Sequence, residues 1–159
     1  MLVNLLQASD VESFEGREGF NFGLGVVVVG GCEKKEIWDE EGNFVDTEKN
    51  CGALPLLDLE IGYNISNQFG VSLDMKTLLI GSLIGIKAKY YMQDERDTAF
   101  VSLTGGVLDV GGGHSGPGAI SYNHVSYGYA YGGNEFSIGV GALHGESSAS
   151  FHIGYKYIF

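Results

Sequence analysis

The sequence predicts an all-β chain: eight antiparallel strands closing up-and-down into a transmembrane β-barrel. Three observations carry that prediction. Apolar residues recur with period two in eight successive segments between residues 18 and 159, which is the spacing of a strand with two different sides. Every charge inside those segments falls on the less apolar side. The chain holds 26 glycines and 2 prolines in 159 residues at a mean hydropathy of +0.06, a balance that suits strands alternating between two environments.

The segments follow one another without a helical pattern between them. The first sets Phe20, Phe22, Leu24, Val26 and Val28 against Asn21, Gly23, Gly25, Val27 and Val29. The second sets Leu57, Leu59, Ile61 and Tyr63 against Asp58, Glu60, Gly62 and Asn64. In the third, Phe69, Val71, Leu73, Met75, Thr77 and Leu79 oppose Gly70, Ser72, Asp74, Lys76 and Leu78. The fourth has Ile84, Ile86, Ala88 and Tyr90 against Gly85, Lys87, Lys89 and Tyr91. The fifth is weakened by Gly105-Gly106 and pairs Ala99, Val101, Leu103 and Val107 against Phe100, Ser102, Thr104 and Gly106. The sixth sets Val125, Tyr127, Tyr129 and Tyr131 against His124, Ser126, Gly128 and Ala130. The seventh sets Phe136, Ile138, Val140 and Ala142 against Ser137, Gly139, Gly141 and Leu143. The last has Phe151, Ile153, Tyr155, Tyr157 and Phe159 against Ser150, His152, Gly154, Lys156 and Ile158.

Composition removes several function classes. With 9 Lys+Arg against 20 Asp+Glu, a net charge of −11, the chain lacks the basic patch that nucleic-acid binding requires. The longest aliphatic runs, Val26 to Val29 and Leu78 to Ile80, fall far short of the roughly 18 residues a spanning helix needs. A content of 44% hydrophobic residues excludes disorder. A soluble barrel would turn its apolar side inward and cover its outside with charge. Here the second side is too glycine-rich and too sparsely charged for that, so the consistent arrangement is inverted, with apolar residues facing lipid and small or paired polar residues filling the interior.

The connections fit. Ile65 to Gln68, Gln93 to Asp97 and Gly132 to Asn134 are tight, whereas the others include a long outer loop over 30–54, an apolar tip at Gly81-Ser82, a Gly/Pro loop over 111–118 and a small-residue loop over 145–148. Short turns at one end and longer loops at the other characterise outer-membrane barrels. Residues 1–9 read as the end of a secretory signal, residues 10–17 as a polar lead-in, and residues 18–159 as the barrel. Asp109, just past the fifth segment, continues its outward parity and is the one charged misfit; either the strand has ended there or a bulge at Gly105-Gly106 flips the alternation. The tip from Leu78 to Ile84 has no polar crown, which would hold it in the membrane or make it a contact surface.

The closing segment Phe151-His-Ile-Gly-Tyr-Lys-Tyr-Ile-Phe159 resembles the final strand of small eight-stranded bacterial outer-membrane proteins of the OmpA/OmpX class. Gly62-Tyr-Asn-Ile-Ser-Asn-Gln-Phe69 is similar to their periplasmic hairpins. The resemblance covers about residues 18 to 159. It implies a bacterial outer-membrane location, and a role for Ile153, Tyr155, Tyr157 and Phe159 as the signal read by the barrel assembly machinery. Tyr127, Tyr129 and Tyr131 would join Tyr155, Tyr157 and Phe159 in an aromatic girdle at headgroup level.

Four groups of residues carry possible chemistry. Asp58, Glu60, Asp74, Lys76, Lys87, Lys89, His124, His152 and Lys156 face the interior; buried charges need partners, and a barrel of eight strands is narrow, so a structural plug is expected, with a gated or proton-conducting path as the alternative. Cys32 and Cys51 flank the long loop and predict a disulfide in an oxidising compartment, worth on the order of 3 kcal/mol for a loop of this size. Within that loop, Glu36 to Asp39 and Asn43 to Asp46 around Glu41-Gly42 suit a projecting hairpin for adhesion or a surface partner. Its acidic residues Asp39, Glu40, Glu41, Asn43 and Asp46 depart from the EF-hand spacing for calcium, and two thiols without a nearby His do not make a metal site.

Fourth, some outer-membrane barrels are lipid A acylhydrolases or acyltransferases, and His144, Glu146 and Ser147, or His114 and Ser115, would be the residues for such chemistry. The compact His-x-Ser-Asn pattern of deacylases is missing from the sequence. The reading is a monomeric, non-catalytic surface protein in outer-membrane lipid, without cofactor or metal. The competing classes are the lipid A-modifying enzyme and a soluble lipocalin-like carrier, which would have an apolar cavity and an outside bearing the Asp and Lys residues.

Overall fold

A computed structural model describes residues 16–78, 81–109, 120–143 and 148–159. Eight strands run in sequence order, β1 (Gly19–Trp38), β2 (Phe44–Asn64), β3 (Phe69–Leu78), β4 (Gly81–Tyr91), β5 (Thr98–Asp109), β6 (Ile120–Tyr131), β7 (Asn134–Leu143) and β8 (Ser148–Ile158). Each pairs antiparallel with the next, and β1 closes on β8 from Gly23↔Ile158 to Cys32↔Ala149, giving a closed barrel. Closure removes every sheet edge at membrane depth, which an all-strand structure in lipid requires.

The facing is inverted. Among the described residues sixteen polar or charged side chains are buried against five apolar ones, the reverse of a soluble core. Phe20, Ile61, Leu73, Ile86, Leu103, Ile138, Val140 and Ile153 all point outward and are exposed. This arrangement excludes the lipocalin-like alternative, since the charged residues that a carrier would display to water lie inside. β3 to β8 are 10 to 12 residues long, close to what a tilted strand needs to cross the hydrocarbon layer. An outward belt of aromatics runs round the tight-turn end: Phe20 beside Tyr63, Phe136 beside Tyr155, and Phe159 between Phe22 and Tyr157. The final turn uses Gly132 and Gly133 at φ 55° and 88°, the left-handed pair that a two-residue hairpin demands.

Two sequence expectations change. Residues 30–54, read as a loop, are mostly strand: β1 and β2 stay paired from Gly19↔Asn64 to Trp38↔Phe44, leaving 39–43 as the turn. Apolar alternation fades there because both sides of the ribbon are wet, so the period-two signal has no buried side to record. Asp109 is still a paired strand residue, and the β4–β5 register runs without a shift from Tyr91↔Phe100 to Ser82↔Asp109, so Gly105-Gly106 carries no bulge. The tip residues 79–80, the loop over 111–118 and the segment read as a signal remnant, 1–9, lie outside the described residues.

Candidate functional site

Alternation on each strand delivers one charged side chain after another into the lumen. β2 supplies Asp58 and Glu60, β3 Asp74 and Lys76, β4 Lys87 and Lys89, β7 Glu135 and β8 Lys156, all buried. Ladder neighbours are not always opposite in sign: Asp58 stands across from Lys76, but Glu60 stands across from Asp74. The two adjacent carboxylates are held by lysines reaching across the barrel. Glu60 takes Lys87 at 2.9 Å, Lys89 at 3.2 Å and Lys156 at 2.6 Å. Asp74 pairs with Lys76 and Lys87, while Lys89 also binds Glu135 at 2.7 Å and Lys156 approaches Asp58 at 3.1 Å. The Asp58 contact is one of charge only, because its oxygen lies outside hydrogen-bond alignment. Four carboxylates and four lysines cancel, so the cluster is neutral as a whole.

The histidines form a separate pair. His124 on β6 and His152 on β8 meet through their ring nitrogens, with ring centroids 3.8 Å apart, and Ser137 Oγ lies 3.4 Å from His152 Nε2. They touch across β7, which carries glycine at the positions beneath them. A Cβ on Gly139 would lie 2.8 Å from Ser126 Cβ and 2.9 Å from His124 Cε1. Long luminal side chains elsewhere use the same room: a Cβ on Gly23 would meet Lys156 Cδ at 2.6 Å, and one on Gly85 would meet the Tyr122 hydroxyl at 2.7 Å. Glycine is abundant because the lumen is crowded. The cavity left beside the histidines and lysines is about 20 Å³, room for about one water molecule.

The tight-turn mouth is partly closed from below. Asn64 Nδ2 donates to the Arg17 carbonyl at 2.8 Å, Arg17 N donates to Asn67 Oδ1 at 2.7 Å, and the Arg17 guanidinium stacks 4.3 Å above the Tyr91 ring. Burial there pulls the Arg17 pKa below its ordinary value, against the opposing influence of Tyr91, Glu135, Asp94 and Asp97. Tyr91 in turn donates to Glu135 at 2.8 Å. A wider recess of about 370 Å³ opens beside Arg17, Asn21 and Arg96.

At the opposite end the β1–β2 hairpin projects. Cys32 and Cys51 form a disulfide with Cα atoms 4.1 Å apart. Beyond it the turn is organised by Asp39, whose Oδ1 accepts from Asn43 N at 2.7 Å and Glu41 N at 3.0 Å and whose Oδ2 accepts from Asn43 Nδ2 at 3.2 Å. Those bonds from Asn43 hold the Asp39 carboxyl below the usual carboxylate range. The carboxylate caps the turn.

All nine interior residues read from the sequence lie in the lumen, and seven of them share one ionic cluster while His124 and His152 stand apart. Ile153, Tyr155 and Tyr157 line the outer side of β8, and Phe159, the residue after it, is also exposed and donates its N–H to Phe22 O at 2.8 Å. His144, Glu146 and Ser147, with His114 and Ser115, lie outside the described residues. Sequence reasoning missed Glu135 and Tyr91 as network members. Glu135 was legible, since stepping back two residues from Ser137 reaches it on the same side of β7.

No family model and no curated protein matches the chain. Among solved structures, Neisserial surface protein A (NspA) is similar at 13% identity and TM-score 0.54, over 89% of this chain and 98% of that one. Ail of Yersinia pestis, solved with the heparin analogue sucrose octasulfate, aligns at 13% identity and TM-score 0.47 over 90% and 100% of the two chains. OprG of Pseudomonas aeruginosa aligns at 13% and TM-score 0.44 over 91% and 98%. By fold, then, the chain is a small eight-stranded antiparallel barrel of the kind NspA adopts, apolar outside and charged within.

Proposed function

We propose that the chain is a non-catalytic protein of the bacterial outer membrane, a monomeric anchor with a plugged lumen that presents the β1–β2 hairpin at the cell surface to a partner. The observation that carries this reading is the neutral cluster of four lysines and four carboxylates across the lumen. Breaking any member exposes an uncompensated buried charge at a cost of about 3–5 kcal/mol, so the cluster resists opening to water or ions. The outward apolar side chains supply the lipid contact. Ile153, Tyr155, Tyr157 and Phe159 serve the barrel assembly machinery during insertion, a role supported by their alternate, exposed positions along β8 and the residue that follows it.

Planar-bilayer recording of the purified protein tests the plug, with no unitary conductance expected. Steady channel openings would overturn it. Protease shaving of intact cells tests the orientation, since cleavage between Glu36 and Glu48 is expected from outside.

A further inference from the structure

The barrel's exposed apolar residues face lipid, but four others do not. Ile37, Trp38, Phe44 and Val45 are 40%, 57%, 54% and 58% exposed at the end of the hairpin. Among the described residues the last rung joining β1 to β8 is Cys32↔Ala149, and the last joining β2 to β3 is Leu57↔Thr77. From Cys32 to Trp38 the ribbon continues for about 20 Å at the rise of a strand. An apolar tip held so far beyond the barrel gains nothing from the bilayer, and exposed apolar clusters in water mark interaction sites.

The tip is also built to keep one shape. The disulfide joins the two strands below it, three hydrogen bonds to Asp39 fix the turn above it, and a register shift between Ile37 and Trp38 brings Trp38 opposite Phe44. Their rings pack edge to face, centroids 5.8 Å apart. A pre-ordered aromatic pair forfeits little entropy on binding, and such residues are the usual energetic anchors of protein interfaces. Around this anchor stand Glu36, Asp39, Glu40, Glu41, Asp46 and Glu48, and residues 33–51 hold seven acidic against three basic side chains. That field draws a basic partner and repels an anionic one.

We propose that the Trp38–Phe44 tip is a docking knob for a protein whose surface offers an apolar cleft rimmed by lysine or arginine. The inference rests on the surface-interaction reading above and makes its partner class specific. The acidic setting argues against anionic polysaccharide or anionic phospholipid as the occupant.

Trp38 is the only tryptophan in the chain, so its fluorescence reports on the tip alone. The full chain in zwitterionic nanodiscs would be titrated with an alternating Lys/Leu peptide, its Glu/Leu and Lys/Ser counterparts, heparin, and phosphatidylserine vesicles. A saturable blue shift is expected with the Lys/Leu peptide only. Phe44→Ala should weaken it by about tenfold or more, as for an interface anchor, and Asp46→Asn with Glu48→Gln should reduce both the affinity and its salt dependence. Heat-modifiable gel mobility confirms that each variant is folded. No shift with Lys/Leu, equal binding of Lys/Ser, a response to heparin or vesicles, or an unchanged affinity in Phe44→Ala would overturn the proposal. If the tip fails while intact cells still acquire a binding activity on expressing the protein, the surface-interaction reading survives and this assignment does not.

Discussion

Val28 on β1 stands opposite Pro55 on β2, two positions beyond the last described β2–β3 rung, while β1 stays paired to β8 as far as Cys32. Phe159 N donates to Phe22 O, so even-numbered residues of β1 turn their backbone groups toward β8. The 4.1 Å Cα separation at Cys32↔Cys51 fits the close pairs that exchange no hydrogen bonds across β1–β2. Pro55, opposite an even residue, therefore directs its missing N–H toward β3. Among the described residues the ladder between β2 and β3 runs to Leu57↔Thr77, two positions short of Pro55, and a proline offers no amide to carry it further.

Replacing Pro55 with Thr restores that donor. Hydrogen exchange on the folded variant should show the new amide at position 55 protected relative to Ala53, with a gain of about 1 kcal/mol for one net hydrogen bond. Exchange as fast as at Ala53 would count against the proline as the terminator.

Glu60 is the hub of the luminal cluster, bound to Lys87, Lys89 and Lys156. Glu60→Gln leaves one positive charge uncompensated and should destabilise the barrel by about 3–5 kcal/mol in urea unfolding from lipid vesicles. Adding Lys156→Met should recover part of that loss by restoring neutrality. Additive destabilisation by the two changes would contradict a shared network.

The ring contact between His124 and His152 depends on the bare backbone of β7. Gly139→Ala places a methyl 2.9 Å from His124 Cε1, and overpacking of this kind costs about 1–3 kcal/mol. Histidine ring shifts in NMR spectra should change together for both residues. A change confined to His124 would mean that the pair is not coupled.

Serine at both Cys32 and Cys51 separates the barrel from its hairpin. Closure from β1 to β8 runs through Gly23 to Cys32, so the variant should keep its heat-modifiable mobility while amides of 36–48 exchange faster. The chain-entropy model puts the stability loss on the order of 3 kcal/mol. Loss of the folded gel band would assign the disulfide to the barrel itself.

The Asp39 carboxyl titrates below its ordinary range because Asn43 donates to it. A depressed folded-state pKa contributes stability above the ordinary carboxylate pKa, and that contribution is lost as pH falls through the folded value. The turn should therefore be ordered at neutral pH and loosen only in acid below the usual aspartate midpoint. Amide exchange at Glu41 and Asn43 across that range checks the direction, and Asp39→Asn should abolish the dependence.

Strand number, facing and the identity of most luminal charges were written in the sequence, because each membrane strand meets lipid on one side and a crowded lumen on the other, residue by residue. Leu57 and Asp58, or Ile86 and Lys87, declare their sides without reference to any other strand. The hairpin beyond Cys32 could not declare itself that way, since both of its sides meet water and its pairing comes from register, the disulfide and the Asp39 turn. Nor could alternation say which lysine meets which carboxylate. Lys156 and Glu60 are 96 residues apart, and only closure of β1 on β8 brings them to one point. The histidine pair across Gly139 belongs to the same class: parity places both rings inside, while the curvature of three adjacent strands makes them touch.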